Sequence, residues 1–289
     1  MTGRIIKGVG GFYTALCGGN AYTLRARGSL RRMKVTPKVG DFVDFTPGEG
    51  EADGWLERVR ERRNSLERPP VANIDLALVQ VAACNPQPDL VMLDKMLIIC
   101  RLAGIDTAVL ISKADLDPAA AEAIARQYEP GGMPVCRVSA ATGAGLDAVR
   151  ALVKGRACAW AGQSGVGKST MISALFGLEL RTGGLSQRTE RGRHTTRHVE
   201  LMDVGEGTMV FDTPGFSLLE LPLMEPMELE RGYPEMEGIE GCRFAPCAHI
   251  SEPDCAFKSR RAQLMSDERY ERYKLIFEEM RKRWRERYD

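Results

Sequence analysis

Short runs of alternating apolar and polar residues fill the first sixty positions of the chain. Residues 5–9, 12–17, 22–27, 41–45 and 55–59 each read as a half-buried strand. Gly18-Gly19-Asn20 supplies a tight hairpin link, and 48–54 forms a polar, acidic loop. Five short strands in so little chain predict a small Greek-key barrel of the oligonucleotide-binding (OB) type, a pattern other small barrels share. A charged connector from Arg58 to Arg68 ends at Pro69-Pro70, where a boundary is expected.

From residue 71 the rhythm changes. Apolar runs at 76–82, 107–111, 134–138 and 157–161 alternate with helical patterns at 90–102, 118–128 and 146–153. That alternation predicts an α/β layer with a largely parallel sheet. After Leu221 it stops. Residues 225–240 are acidic with Pro and Gly, a cysteine cluster follows, and a long helix is expected from about Ser259 or Ser266. Tyr270, Tyr273, Phe277, Met280 and Trp284 fall on one stripe of that helix. Such spacing favours packing over an RNA-stacking face. The expected organisation is multi-domain α/β, divided as 1–68 (OB-type barrel), 69–222 (nucleotide-binding α/β) and 223–289 (cysteine cluster with helices).

Composition narrows the class. Of 289 residues, 44% are hydrophobic and 27% charged, which excludes wholesale disorder and a collagen-like chain. No run approaches the ~20 apolar residues of a membrane span. Arg4 and Lys7 before residues 8–17 mimic a weak secretory signal, which the interrupting glycines argue against. Net charge is +1, but residues 1–70 alone carry 13 basic and 8 acidic side chains. Five of the eight cysteines are scattered (Cys17, Cys84, Cys100, Cys136, Cys158). Four of those five sit in apolar segments and read as core residues of a reducing compartment, hence a cytoplasmic protein.

The strongest chemical signal is Gly162-Gln163-Ser164-Gly165-Val166-Gly167-Lys168-Ser169, followed by Thr170. It fits the P-loop pattern, between an apolar strand and a helical segment at 170–176. Its glycines let backbone N–H groups converge on phosphate oxygens at a helix N-terminus. Lys168 can bridge the β- and γ-phosphates, and Ser169 offers a hydroxyl to Mg²⁺. Asp212-Thr213-Pro214-Gly215 follows the apolar run 209–211 and reads as a second phosphate loop. There Asp212 would join the Mg²⁺ shell and the Gly215 N–H would meet the γ-phosphate. Between the two lies a polar loop with Arg191, Arg193, His194, Thr195 and Thr196. One of its threonines could close over Mg²⁺ and the γ-phosphate; a solvated basic loop is the plain alternative.

Guanine selection usually needs [NT]-K-x-D. No such motif follows the phosphate loops. Upstream, Ser112-Lys113-Ala114-Asp115 ends the run 107–111, with Asp115 placed to accept from guanine N1–H and N2–H₂. Ser112 stands where Asn is usual and can keep one of the amide's two hydrogen bonds. Ser139-Ala140 after the run 134–138 reads as the loop supporting the base. The order of base motif, supporting loop, P-loop and phosphate loops is a circular permutation. Strand-end loops still converge at one sheet edge, so a site survives it.

Cys242, Cys247, His249 and Cys255 crowd into fourteen residues. Three thiolates and an imidazole make a full tetrahedral set, suited to one closed, structural Zn²⁺ site. Unpaired thiols or disulfides are the alternative.

Together these residues resemble the circularly permuted, ribosome small-subunit-dependent GTPase A family, over nearly the whole chain. Residues 68–75 are similar to that family's entry to the GTPase domain, Arg193-His194-Thr195-Thr196 to its switch I, and Cys242-Arg243-Phe244 through Cys255 to its zinc motif. The resemblance implies GTP/GDP with Mg²⁺, one zinc, GTP hydrolysis stimulated by the small ribosomal subunit, and a role in that subunit's late assembly. The expected partners are the small subunit and its rRNA, with no membrane, and a monomeric chain. A non-enzymatic RNA-binding scaffold and a P-loop ATPase or kinase are the rival classes. Intact Lys168, Ser169 and Asp212 argue against the first, and Lys113 with Asp115 against adenine.

Overall fold

The computed structural model describes residues 1–28, 30, 35–50, 52–178, 199–212 and 220–288. Five strands open the chain: β1 (Thr2–Val9), β2 (Phe12–Cys17), β3 (Asn20–Ala26), β4 (Phe42–Thr46) and β5 (Gly54–Val59). They close on themselves in the order β1-β2-β3-β5-β4-β1. Alternation fills the barrel: Ile5, Ala15, Leu24, Val43, Phe45 and Leu56 point inward and are fully or almost fully buried. The outward positions carry a different row. Register pairs Phe12 with Arg25 and Arg25 with Trp55, so three exposed side chains form one rung across β2, β3 and β5.

A short hairpin of β6 (Ser65–Leu66) and β7 (Val71–Ala72), which the sequence pattern did not suggest, links barrel to sheet. The second layer contains β8 (Leu76–Ala82), β9 (Asp106–Ser112), β10 (Val135–Arg137), β11 (Ala157–Gly162), β12 (Glu200–Gly205) and β13 (Thr208–Asp212). Their order is β10-β9-β8-β11-β13-β12, parallel except for β12. Strand β12, unforeseen from the sequence, touches β1 at Glu200 and Lys7, where an ion pair of 3.2 Å joins sheet to barrel.

Helices α1 (Leu90–Leu102), α2 (Pro118–Tyr128), α3 (Leu146–Val153) and α4 (Lys168–Phe176) cover the sheet on both faces. In β8, Ala77, Val79 and Val81 join the core under α1 and α2, while Leu76 and Leu78 join that under α3 and α4. Asp89 and Asp117 start α1 and α2 by accepting from Met92 N and Ala120 N at 2.9 Å each.

Of the two expected starts for the long C-terminal helix, Ser266 holds: α6 runs over Asp267–Arg285, and a separate helix, α5 (Ala256–Leu264), precedes it. Met265 is extended, and Ser266 restarts the helix by accepting from Arg269 N. The aromatic stripe packs: Tyr270, Tyr273, Phe277 and Met280 are buried and Trp284 is half-buried. Helix α6 lies on α1, and the contact is ionic at its centre. Arg269 Nε donates to Glu235 Oε1 at 2.6 Å and Nη2 to Glu235 Oε2 at 3.4 Å, while Nη1 donates to Asp94 Oδ1. Arg272 and Tyr128 complete the carboxylate's partners at 2.6 and 2.7 Å. Burial alone would depress the Arg269 pKa; Asp94 and Glu235 reverse that and raise it.

Candidate functional site

Five parallel strands deliver their carboxyl ends to one edge of the sheet, where an α/β fold exposes its loops. Fully buried β11 brings up Gly162 beside Gln80 of β8. Only glycine fits there: its φ is 143°, and a Cβ would stand 2.1 Å from the Gln80 carbonyl oxygen. Gly167 (φ 91°) then turns the chain into α4, whose first N–H groups have no side-chain cap. Ser164 and Gly165 are exposed at the loop's tip, while Val166 is buried beneath it. Lys168 folds across the loop, with Nζ 2.6 Å from Gly162 O and 2.9 Å from Gln163 O. Burial lowers its pKa. Ser169 is half-buried at the first turn and Thr170 is exposed. Loop, lysine and uncapped helix start make a concave, cationic cradle that can take phosphate oxygens.

Ser112 ends β9 and is buried. Its hydroxyl lies 2.7 Å from Val166 O and 3.1 Å from Val81 O, so it supports the P-loop from beneath. Lys113 (φ 55°) turns the chain outward, and its Nζ reaches Gly165 O at 3.1 Å and also Asn85 O. Asp115 is exposed beyond it and bonds no group among the described residues. Ala114 N donates to Val138 O, which ties this loop to the next one. There Ser139 is buried and accepts from Thr142 N at 3.1 Å, with Ala140 half-buried beside it.

Asp212 ends β13, next to β11. Partial desolvation, and then Glu200 directly across the β12–β13 pair, raise its carboxyl pKa. A cation at this edge would counter both effects. His194, Thr195, Thr196, Gly215 and Phe216 lie outside the described residues.

The cysteine cluster also assembles. The ligand atoms of Cys242, Cys247, His249 and Cys255 all lie within 4.8 Å of one another. His249 Nδ1 is 3.2 Å from Cys255 Sγ and 3.7 Å from Cys242 Sγ. A tetrahedral Zn²⁺ with ordinary bond lengths spaces its ligands by roughly 3.5–3.8 Å. Glu230 Oε2 sits 3.1 Å from His249 Nε2 and holds the ring with Nδ1 toward the sulfurs. Burial, followed by the adjacent Cys255 and Cys242 sulfurs, pushes the Cys247 thiol up to about 12. Three thiolates held this close repel one another unless a cation lies among them, and the set of three sulfurs and an imidazole fits zinc. Tyr270 and Tyr273 of α6 fix the loop by donating to His249 O and Ala248 O at 2.6 and 2.7 Å.

Sequence reading missed Gln80, Glu230 and the Arg269 network. Gln80 left a signal: it is the polar residue in a seven-residue strand that is otherwise apolar and buried throughout.

Comparison with known proteins agrees with this geometry. The RsgA GTPase family model matches residues 59–222, and the RsgA N-terminal domain model matches 2–56. A small ribosomal subunit biogenesis GTPase RsgA from Agathobacter rectalis is 40% identical over 98% of this chain and 99% of its own length. The protein of that name from Geobacillus thermodenitrificans is 42% identical over 97% and 98%. The crystal structure of YjeQ from Thermotoga maritima superposes with a TM-score of 0.83 at 31% identity, covering 96% of this chain and 98% of that one. YloQ, described as a circularly permuted GTPase, gives 0.79 at 32% identity over 98% and 95%.

Proposed function

The chain belongs to the RsgA GTPase family, and from that premise we propose how it binds and hydrolyses GTP and where it acts. It converts GTP and water to GDP and phosphate, in the biogenesis of the small ribosomal subunit. One observation carries the site reading. The P-loop, Ser112 to Asp115, Ser139 and Asp212 meet at one sheet edge although their order in the chain is permuted.

Residues 162–170 hold the phosphates through backbone N–H groups, with Lys168 on the β- and γ-phosphates. Ser169 and Asp212 would hold Mg²⁺, which supplies charge neutralisation at those oxygens. Asp115 selects guanine, the Lys113 stem flanks the base, and Ser139-Ala140 support it. Asp115→Asn should weaken GTP binding about 10- to 150-fold, the range of a lost charge-assisted hydrogen-bond pair, and improve xanthosine triphosphate binding. Titration calorimetry showing unchanged GTP affinity would remove Asp115 from this role.

Phe216 stands where Ras-like enzymes place the water-orienting Gln after Asp-x-x-Gly, and its ring cannot bond water. We read His194 as the group that a partner orders, with Thr195 or Thr196 and Gly215 closing on the γ-phosphate. The chain is then a slow enzyme until triggered. The trigger is the small subunit with its rRNA, and the barrel offers RNA a suitable face. Phe12 and Trp55, 43% and 46% exposed, flank Arg25 in one rung. The guanidinium lies 4.7 Å over the Phe12 ring, in a segment with excess positive charge.

We further read segments 1–68, 69–222 and 223–289 as OB, GTPase and zinc domains of a cytoplasmic monomer. Among the described residues no helix is long and apolar enough to cross a membrane. The test is GTP turnover with and without purified small subunits. Stimulation of about 10³- to 10⁵-fold is expected, the worth of an externally supplied catalytic group. Binding should be tighter with a non-hydrolysable GTP analogue than with GDP. Equal turnover with and without saturating subunits, together with nucleotide-blind affinity, would defeat the reading.

A further inference from the structure

Gln80 sits in the middle of the site without being part of any motif. It is 1% exposed, in a strand whose other six residues are apolar and buried. Its Nε2 donates to Val166 O at 2.8 Å. A carbonyl acceptor dictates which end of the amide faces it, so the orientation follows from the partner. Its Oε1 has no partner among the described residues. Leaving a buried amide oxygen unpaired is costly, and a hydrophobic side chain would serve the sheet better. The group that offsets that cost is the N–H.

Its acceptor is shared. Ser112 Oγ reaches the same Val166 carbonyl at 2.7 Å, from the adjacent strand β9. Ser112 replaces the usual Asn of the base motif, and a hydroxyl has one proton to give. That proton is divided between Val166 O and Val81 O, the latter at 3.1 Å. The amide missing at position 112 is present at position 80. Val166 links the exposed tip at Gly165 to Gly167, where α4 begins, so its carbonyl sets how the loop's N–H groups point.

We infer that Gln80 is a positioning residue for nucleotide binding: it gives Val166 the amide donor that Ser112 cannot, and so holds the P-loop in its phosphate-binding shape. The inference rests on the P-loop reading proposed above. It makes positions 80 and 112 a coupled pair, because both act on one carbonyl.

The test is titration of the full chain with GDP and with a non-hydrolysable GTP analogue, alongside steady-state kinetics. Gln80→Leu should raise both dissociation constants about fivefold, the size of one net buried hydrogen bond, and raise KM for GTP more than it lowers kcat. Adding Ser112→Asn should bring the affinities back to within about twofold of the parent chain, since the new amide reaches the same carbonyl. A packing role alone would lower thermal stability and leave affinity and rescue unmoved. If Gln80→Leu does not fold, Gln80→Met, unbranched and closer in shape, replaces it in the same comparison. Lys168→Ala separates the two levels. Loss of binding in Lys168→Ala with parental binding in Gln80→Leu overturns this inference alone. Weak binding in Gln80→Leu that Ser112→Asn does not restore also overturns it. Retained binding in Lys168→Ala overturns the P-loop reading beneath it.

Discussion

Cys247→Ser should release one zinc per chain and unfold the surrounding loop together with helix α5. The metal-binding atoms come from a stretch with little regular structure between the 3₁₀ turn Pro226–Gly232 and helix α5. Its apolar groups are few, so a metal would supply much of what fixes it. Structural zinc in isolated fingers is worth about 10–16 kcal/mol at neutral pH, which sets the scale. Removing one thiolate leaves Cys242 and Cys255 with His249 and an incomplete tetrahedron. Helix α6 has independent anchors on α1, so it should lose protection less than residues 238–264. Elemental analysis and hydrogen exchange read both parts of the expectation. Glu230→Gln should keep the fold and weaken zinc affinity about 10- to 100-fold, because the carboxylate only orients His249. A stoichiometric metal that survives the loss of Cys247 would mean that these four residues are not its ligands.

Arg269→Met should cost about 3–5 kcal/mol of unfolding free energy, the penalty for breaking a buried ion pair from one side. Asp94 and Glu235 have fully buried side chains and Arg269 is 1% exposed, so neither carboxylate can turn to water when the guanidinium goes. Tyr128 and Tyr233 rings lie 4.6 and 5.1 Å from the guanidinium carbon and close the pocket. Asp94 would retain Arg272 and the Tyr128 hydroxyl; Glu235 would keep no charged partner among the described residues. The damage should therefore appear first around Glu235 and α6, seen as faster exchange there than in the parallel sheet. Replacing Arg269, Asp94 and Glu235 together by apolar residues should cost less than Arg269→Met, because no charge is then left buried alone. Urea unfolding decides it: a loss under about 1 kcal/mol would mean that the network adds nothing beyond packing.

The features legible along the chain are those whose parts lie close together in it. A buried strand, a glycine loop and a helix start must be contiguous to cradle phosphate, so residues 157–176 were legible as a unit. The cysteine cluster was legible for the same reason: four ligands within fourteen residues reach one point with little chain to order. Period-two and helical patterns located the barrel strands and α1 to α3 because each has one face in a core. That residues 112–115, 139–140, 162–170 and Asp212 share one edge was readable too, since parallel strands send their loops to one edge whatever their order.

Other features were decided only by the packed chain. Asp94 and Arg269 are 175 positions apart, and nothing local marks either as buried. Their pairing exists because α6 lies on α1, and charged residues on helices otherwise read as solvent-facing. Strand β12 pairs through β13 and then β1, a choice set by which sheet edge was left open. The break between α5 and α6 comes from Met265 turning extended and burying its side chain in the core, a demand of packing that helix propensity does not carry. Ser112 looked in the sequence like a weakened base contact. In the fold its hydroxyl points beneath the P-loop to a carbonyl that Gln80 also holds, because adjacent strands bring residues 80 and 112 to the same loop.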